Sequence, residues 1–195
     1  MKKIYLLLVE ATMMLSCSNT MVSPSFELAC DGEIAVITDY VPNNDHNSVI
    51  EFKMKIDNAT DEVGCGNEGA WAGGLSSYYN SSRKTFNILC DDYVNDYAYS
   101  YSLGSDIIIR MSKTQYVFNG VLKNIEDNAL TSKKPIYIGS QWWSWQGTIY
   151  FIKIFENDKL IRNFIPKEVN GVATLVDSIT GYVCEVSGSG TTELR

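Results

Sequence analysis

SVIEFKMKI, residues 48 to 56, alternates without a break: Ile50, Phe52, Met54 and Ile56 fall on one side, Val49, Glu51, Lys53 and Lys55 on the other. An extended chain turns successive side chains to opposite faces, so the stretch reads as a strand with one apolar face and one mostly charged face. The same device recurs outward in both directions. TQYVFNGVLKN, residues 114 to 124, places Asn119-Gly120 between two apolar runs. That dipeptide predicts a type I′ hairpin turn, which needs positive φ at both central positions. YFIKIFENDKLIRNFI, residues 150 to 165, predicts a strand ending at Phe155, a turn at Glu156-Asn157-Asp158, and a strand from Leu160 to Ile165. Thr148 to Phe155 alternates as a strand of its own.

No long helical periodicity interrupts this pattern. Short runs rich in Ile, Val, Tyr and Phe, broken by Gly, Asn, Asp and Ser, indicate an all-β fold of the two-sheet antiparallel sandwich class. The four prolines, at 24, 42, 135 and 166, fall at predicted strand ends, where a missing N–H costs least. The 195 residues, 45% hydrophobic and 20% charged, suit one domain with a real core, placed over 26–195. A net charge of -7 and no run of Lys or Arg argue against nucleic acid or an anionic membrane surface as partner.

The opening MKKIYLLLVEATMMLSCSNT reads as an address. Lys2 and Lys3 form a basic start, Ile4 to Leu15 a short apolar core, and Ser16-Cys17 a small residue before a cysteine. It resembles a bacterial lipoprotein signal, which implies a signal peptide over 1–16, lipidation of Cys17 and a tether over 17–25. The location expected from it is the bacterial cell envelope, outer membrane or cell surface. Cys30, Cys65, Cys90 and Cys184 remain, an even number that permits two disulfides in three connectivities. None has C-x-x-C spacing, so neither a zinc site nor a redox motif is indicated.

Two longer stretches carry a family resemblance. The first is Asp31-Gly32, Ile37-Thr38-Asp39-Tyr40 and Pro42; the second is Gly147 to Pro166, continuing through Asn170-Gly171-Val172 to Asp177. Together they resemble the concanavalin A-like, laminin-G-like jelly-roll domains of bacterial surface proteins and phage-type tail proteins. The resemblance implies a two-sheet jelly roll whose concave sheet and loops bind glycans or proteins in many members. It implies neighbouring first and last strands, and hence a Cys30–Cys184 disulfide; Cys65 with Cys90, across a predicted hairpin, is the weaker pair. Laminin-G-like domains often hold calcium at a rim, for which Asp91, Asp92 and Asp96 in CDDYVND are the candidates. No other cofactor is implied.

Catalytic signatures of this fold find no counterpart in the sequence. Glycanases of this class carry E-x-D-x-x-E on one strand. The single E-x-D, Glu156-Asn157-Asp158, lacks a third acid and lies in a predicted turn. The one histidine, His46, sits in the polar loop PNNDHNS, and no G-x-S-x-G elbow occurs.

Aromatic residues remain. Tyr97, Tyr99 and Tyr101 share one strand face, either a half-exposed sugar-contacting ladder or part of the core. GSQWWSWQG, residues 139 to 147, carries Trp142, Trp143 and Trp145. In the relatives one apolar residue near this glycine packs inside, a role that falls to Trp145. Adjacent residues on an extended segment point oppositely, so at least one of Trp142 and Trp143 is expected at the surface, beside Gln141. The expectation is a non-catalytic, lectin-like protein binding glycans, with a protein-interaction or structural surface module as the alternative and a glycoside hydrolase last.

Overall fold

The fold, taken from a computed structural model, is described over residues 26–67, 74–89, 97–125 and 130–195. The segment around Cys17, together with Cys90, Asp91, Asp92 and Asp96, lies outside the described residues.

These residues form strands β1 (Leu28–Ile37), β2 (Val49–Ala59), β3 (Glu62–Gly66), β4 (Ser76–Asn80), β5 (Thr85–Leu89), β6 (Tyr97–Ser100) and β7 (Asp106–Met111). There follow β8 (Gln115–Phe118), β9 (Val121–Asn124), β10 (Tyr137–Glu156), β11 (Lys159–Val169), β12 (Val172–Asp177), β13 (Glu185–Gly188) and β14 (Thr191–Leu194). Every strand pairing is antiparallel. A 3-10 turn at Asn44–His46 is the only helical element among the described residues. The fold class is therefore all-β, a curled antiparallel sheet.

Local sequence explains the elements. Ile50, Phe52, Met54 and Ile56 of β2 are all fully buried, as their alternation requires. Asn119 and Gly120 take φ of 46° and 83° and join β8 to β9 with Phe118 opposite Val121. The β10–β11 turn is tighter than expected: Asn157 and Asp158 alone form it, at φ of 48° and 64°, and Glu156 pairs with Lys159. Asn170-Gly171 makes a third turn of this kind, joining β11 to β12. Pro166 does not end a strand but pairs with Leu175 inside β11. The pairing of β10 with β11 stops at Phe164, so Pro166 lies where β11 has one ladder fewer to serve.

The 20-residue strand β10 organises the sheet. Its first residues, Tyr137 to Gly139, lie between β3 and the second half of β1. From Trp145 to Ile149 it lies between β2 and the first half of β1, and its end pairs with β11. Two limbs hang from this shared pair. The first limb runs β6-β5-β4-β3 to β10 and the second half of β1, then β13. The second runs β9-β8-β7-β2 to β10 and the first half of β1, then β14.

Curling brings the limbs face to face over one apolar cluster. Phe86 of β5 lies 5.8 Å from Phe118 of β8, and Tyr99 of β6 stacks on Phe118 at 4.7 Å. Of the two readings of the tyrosines, the core reading holds for Tyr101. Tyr101 is buried, and its hydroxyl donates to Ser105 O at 2.7 Å while accepting from Ile56 N–H at 3.0 Å. Its ring fills the core, so no ligand can stack on it. Tyr99 is half-buried against Phe118 and Tyr116, while Tyr97 pairs with Ile88.

The expected disulfides are corrected. Cys30, Cys65 and Cys184 are buried free thiols. The first and last strands are indeed neighbours, but their register separates the two cysteines. Cys30 lies opposite Thr192 of β14, whereas Cys184 precedes Glu185 of β13, which pairs with Ile37 at the other end of β1. The two pairings fall seven positions apart along β1, and neither thiol has a disulfide partner. Cys65 lies opposite Ser77, whose hydroxyl is 3.0 Å from its sulfur, and β4 separates β3 from β5. Burial pushes the Cys30 and Cys65 thiols up to about 12.

Candidate ligand-binding surface

At the crease between the limbs β1 and β10 fall out of step. Gly32 pairs with Trp145 and Ile34 with Ser140, so Gln141, Trp142, Trp143 and Ser144 of β10 stand against the single residue Glu33. The surplus chain bulges outward, as bulges do where a strand must bend from one layer toward another. Two sets of hydrogen bonds hold it. The buried Ser140 hydroxyl accepts from the backbone N–H groups of Trp142 at 3.3 Å and Trp143 at 3.1 Å. On the far side Thr60 donates both its N–H and its hydroxyl to Ser144 O, each at 3.0 Å. The backbone of the bulge is thus tied down while its side chains are offered outward.

The three tryptophans divide as their positions require. Trp145, at the end of the bulge, is 1% exposed, and its indole N–H donates to Ile34 O at 2.9 Å. Gly147 makes room for it, since a Cβ there would stand 2.8 Å from the Trp145 ring. Trp142 is 74% exposed and Trp143 38%. Their rings meet edge to face, with centroids 6.1 Å apart and planes at 74°. Two such side chains in water expose far more apolar area than scattered surface residues do, on the order of 150–250 Å² of ring each when fully bare.

Polar groups rim the pair. Gln146 donates to Asp31 Oδ1 at 3.1 Å, and Ser189 donates to Glu33 Oε2 at 3.0 Å. Gln141 is half-buried at the root of the bulge. This constellation has flat rings, amide and carboxylate acceptors and a fixed backbone. It can stack on an apolar face and hydrogen-bond to hydroxyls around it. Ser140 and Thr60, whose side chains fix the platform, were not foreseen. The one local signal was a serine two residues before the tryptophan pair, the spacing at which a hydroxyl caps the following backbone N–H.

His46 does not stand alone in its loop. Its Nδ1 lies 3.3 Å from Glu156 Oε2, and the other oxygen of Glu156 accepts from the Tyr40 hydroxyl at 2.9 Å. Burial pushes the Tyr40 phenol up to about 12. The buried Ser48 hydroxyl, 2.7 Å from the Tyr40 oxygen, completes a tie between this loop and the β10–β11 hairpin. The calcium candidates Asp91, Asp92 and Asp96 lie outside the described residues, and among the described residues no group of three or more His, Cys, Asp or Glu is placed to hold a metal. No protein-family model, curated protein or solved structure matches this chain.

Proposed function

We propose that the chain is a non-catalytic, lectin-like binding protein whose platform is the Trp142–Trp143 bulge, that its two limbs are the sheets of a jelly-roll sandwich, and that a lipid at Cys17 holds it to the bacterial envelope. One observation carries the binding reading: two exposed indoles on a bulge whose backbone is hydrogen-bonded from both sides. Exposed aromatic area held rigid is costly to leave in water and loses little further entropy on contact, which favours a recognition role. Facing carboxylates and amides suit neutral hydroxylated ligands better than anions. Facing limbs joined through one long strand pair support the jelly-roll reading.

A glycan array on the purified protein tests the binding reading. Binding should be lost in the Trp142→Ala/Trp143→Ala double variant, with the melting temperature little changed. A blank array together with a stoichiometric protein partner would support the surface-module alternative instead. Membrane fractionation of Cys17→Ala tests the anchor: the variant should become soluble, and an unmodified Cys17 by mass spectrometry in the parent would refute it.

A further inference from the structure

Three half-buried rings of β10 are covered by the protein's own cations. Lys53 lies over Tyr150 at 4.2 Å, Arg110 over Phe155 at 4.7 Å and Lys153 over Phe151 at 4.4 Å. The face of an aromatic ring is electron-rich and attracts positive charge, most strongly in tryptophan. Trp142 and Trp143 stand on the same strand and are more open to water, yet no lysine or arginine of the described residues lies over either ring. Their planes meet at 74°, so the pair offers ring faces in two directions.

The chain on both flanks of the bulge is acidic. Glu33 is the β1 residue that stands against it. On the other flank Gly139 lies opposite Gly64, a register that carries forward to Gln141 opposite Glu62. The turn before β3 holds Thr60, which bonds Ser144 O, and then the exposed Asp61. No lysine or arginine occurs in β1, in residues 57–66 or in residues 137–149. Glu33 accepts from the Ser189 hydroxyl, but neither it nor Asp61 nor Glu62 forms an ion pair among the described residues. Arg83 and Lys84, in the β4–β5 turn whose Ser81 hydroxyl reaches Thr60 O, pair with none of them. Burial and the neighbouring Asp61 hold the Glu62 carboxyl above its ordinary range, so this flank is short of positive charge.

Bare indoles beside unpaired carboxylates supply both attractions that hold a cation, one through ring faces and one through charge. We infer that the platform takes a glycan bearing protonated amines, a hexosamine chain whose nitrogens are not acetylated, with an ammonium group over the indoles between Glu33 and Asp61 and sugar hydroxyls on Gln141. The inference rests on the glycan-binding reading and adds the sign of the ligand's charge. A chain of net charge -7 also draws such a polymer from a distance.

The experiment is titration calorimetry of the full chain at about pH 6 with three β-1,4-linked tetrasaccharides, of glucosamine, N-acetylglucosamine and glucose, with thermal melts alongside. The glucosamine tetramer should bind at least about tenfold more tightly than the other two, and its advantage should shrink in high salt. Glu33→Gln/Asp61→Asn should cut that advantage to about threefold or less and leave the two neutral tetramers bound as before. Asp61→Asn alone, in an exposed turn, should cut it in part and keep the parent's melting temperature. The charge-matched control Asp45→Asn/Asp158→Asn, at the other end of β10, should keep the full advantage. The double tryptophan variant should weaken all three tetramers. Equal binding of the three, or a preference for a neutral one, would overturn the inference and leave the glycan reading standing. An advantage that survives Glu33→Gln/Asp61→Asn, or that the control loses equally, would also overturn it, since the charge would then act from elsewhere on the protein. No binding of the parent protein to any tetramer overturns the inference, and the array then decides the wider reading separately.

Discussion

On the second limb the outward side chains of β2, β7 and β10 answer one another. Lys53 meets Asp106 at 2.6 Å, Arg110 meets Glu51 at 3.1 Å, and Lys153 approaches the same Glu51 at 3.8 Å. The cations also lie over rings: Lys53 over Tyr150, Arg110 over Phe155 and Lys153 over Phe151. At the crease the same two ingredients stand apart: no cation of the described residues lies over Trp142 or Trp143, and Glu33, Asp61 and Glu62 form no ion pair among those residues. The difference teaches where to look for recognition. A face whose groups already satisfy one another gains little from a ligand, whereas one that leaves its rings and carboxylates unmatched has something to gain.

The hardest test of the comparison is to separate the limbs. Trp145→Ala empties a packed site at the crease and removes the indole bond to Ile34 O, and should cost about 3–5 kcal/mol. Urea unfolding followed by both circular dichroism and near-ultraviolet absorbance should show one shared transition at lower denaturant. Two transitions would mean that the limbs fold separately and that the crease is a hinge between independent units.

Next in size is the anchor between β11 and the end of β12. Asp177 is fully buried beside Arg162, and accepts from Asn163 N–H at 2.8 Å, Ile179 N–H at 3.1 Å and Thr180 N–H at 3.3 Å. Burial alone would raise its pKa, but these bonds and that of the Thr180 hydroxyl outweigh it and hold the carboxyl below its ordinary range. A carboxylate with a depressed folded pKa stabilises fully above its unfolded value near about 3.9 and loses that contribution as pH falls through the folded one. Asp177→Ala should cost about 2–3 kcal/mol at pH 7, since it takes the nearer carboxylate from the half-buried Arg162 and leaves several N–H groups without an acceptor. Its deficit relative to the parent should shrink in acid, which melts at pH 7 and pH 2.5 will show.

The smallest effect sharpens the contrast from the other side. Lys53→Met removes one member of the outward lattice, whose hydrogen bond holds the Asp106 carboxyl below its ordinary range. Such exposed pairs contribute about 0–1 kcal/mol. The variant should lose no more than that and should bind oligosaccharides as the parent does. A large loss of binding would move the ligand surface to the second limb.

Strand β2 and the β8–β9 hairpin were legible because alternation and Asn-Gly act within a few residues. The burial of Trp145 was expected only through the resemblance, which implies one inward apolar residue near Gly147. Alternation marks two faces but does not say which one turns inward, and so Tyr101 could be read as a ligand contact although its hydroxyl is bound to the Ile56 backbone. Register was illegible as well: Cys30 lies on β1 and Cys184 just before its neighbour β13, yet their positions along β1 follow from pairings that no local motif encodes. The continuity of β10 was hidden by its own bulge, because the alternation that reads as a strand begins only at Thr148, and nothing in Gln141 to Ser144 marks them as surplus chain within one. Glu33, Asp61 and Glu62 gave no signal at all, since register decides which carboxylates border the tryptophans.

The placement of β10 also governs how the chain can acquire its shape in time. Strand β1 has no ladder partner among the described residues until β10, and Leu28 meets Ile149 across more than half of the sequence. Contacts of such separation delay folding, because the loop must be closed before any of them forms. Until the segment around residue 149 is available, LACDGEIAVI remains an unpaired apolar strand that can pair with other chains. A nascent chain of this design stays open through most of its synthesis and then closes in one late, slow step, with the tryptophan bulge set at the joint where that closure happens.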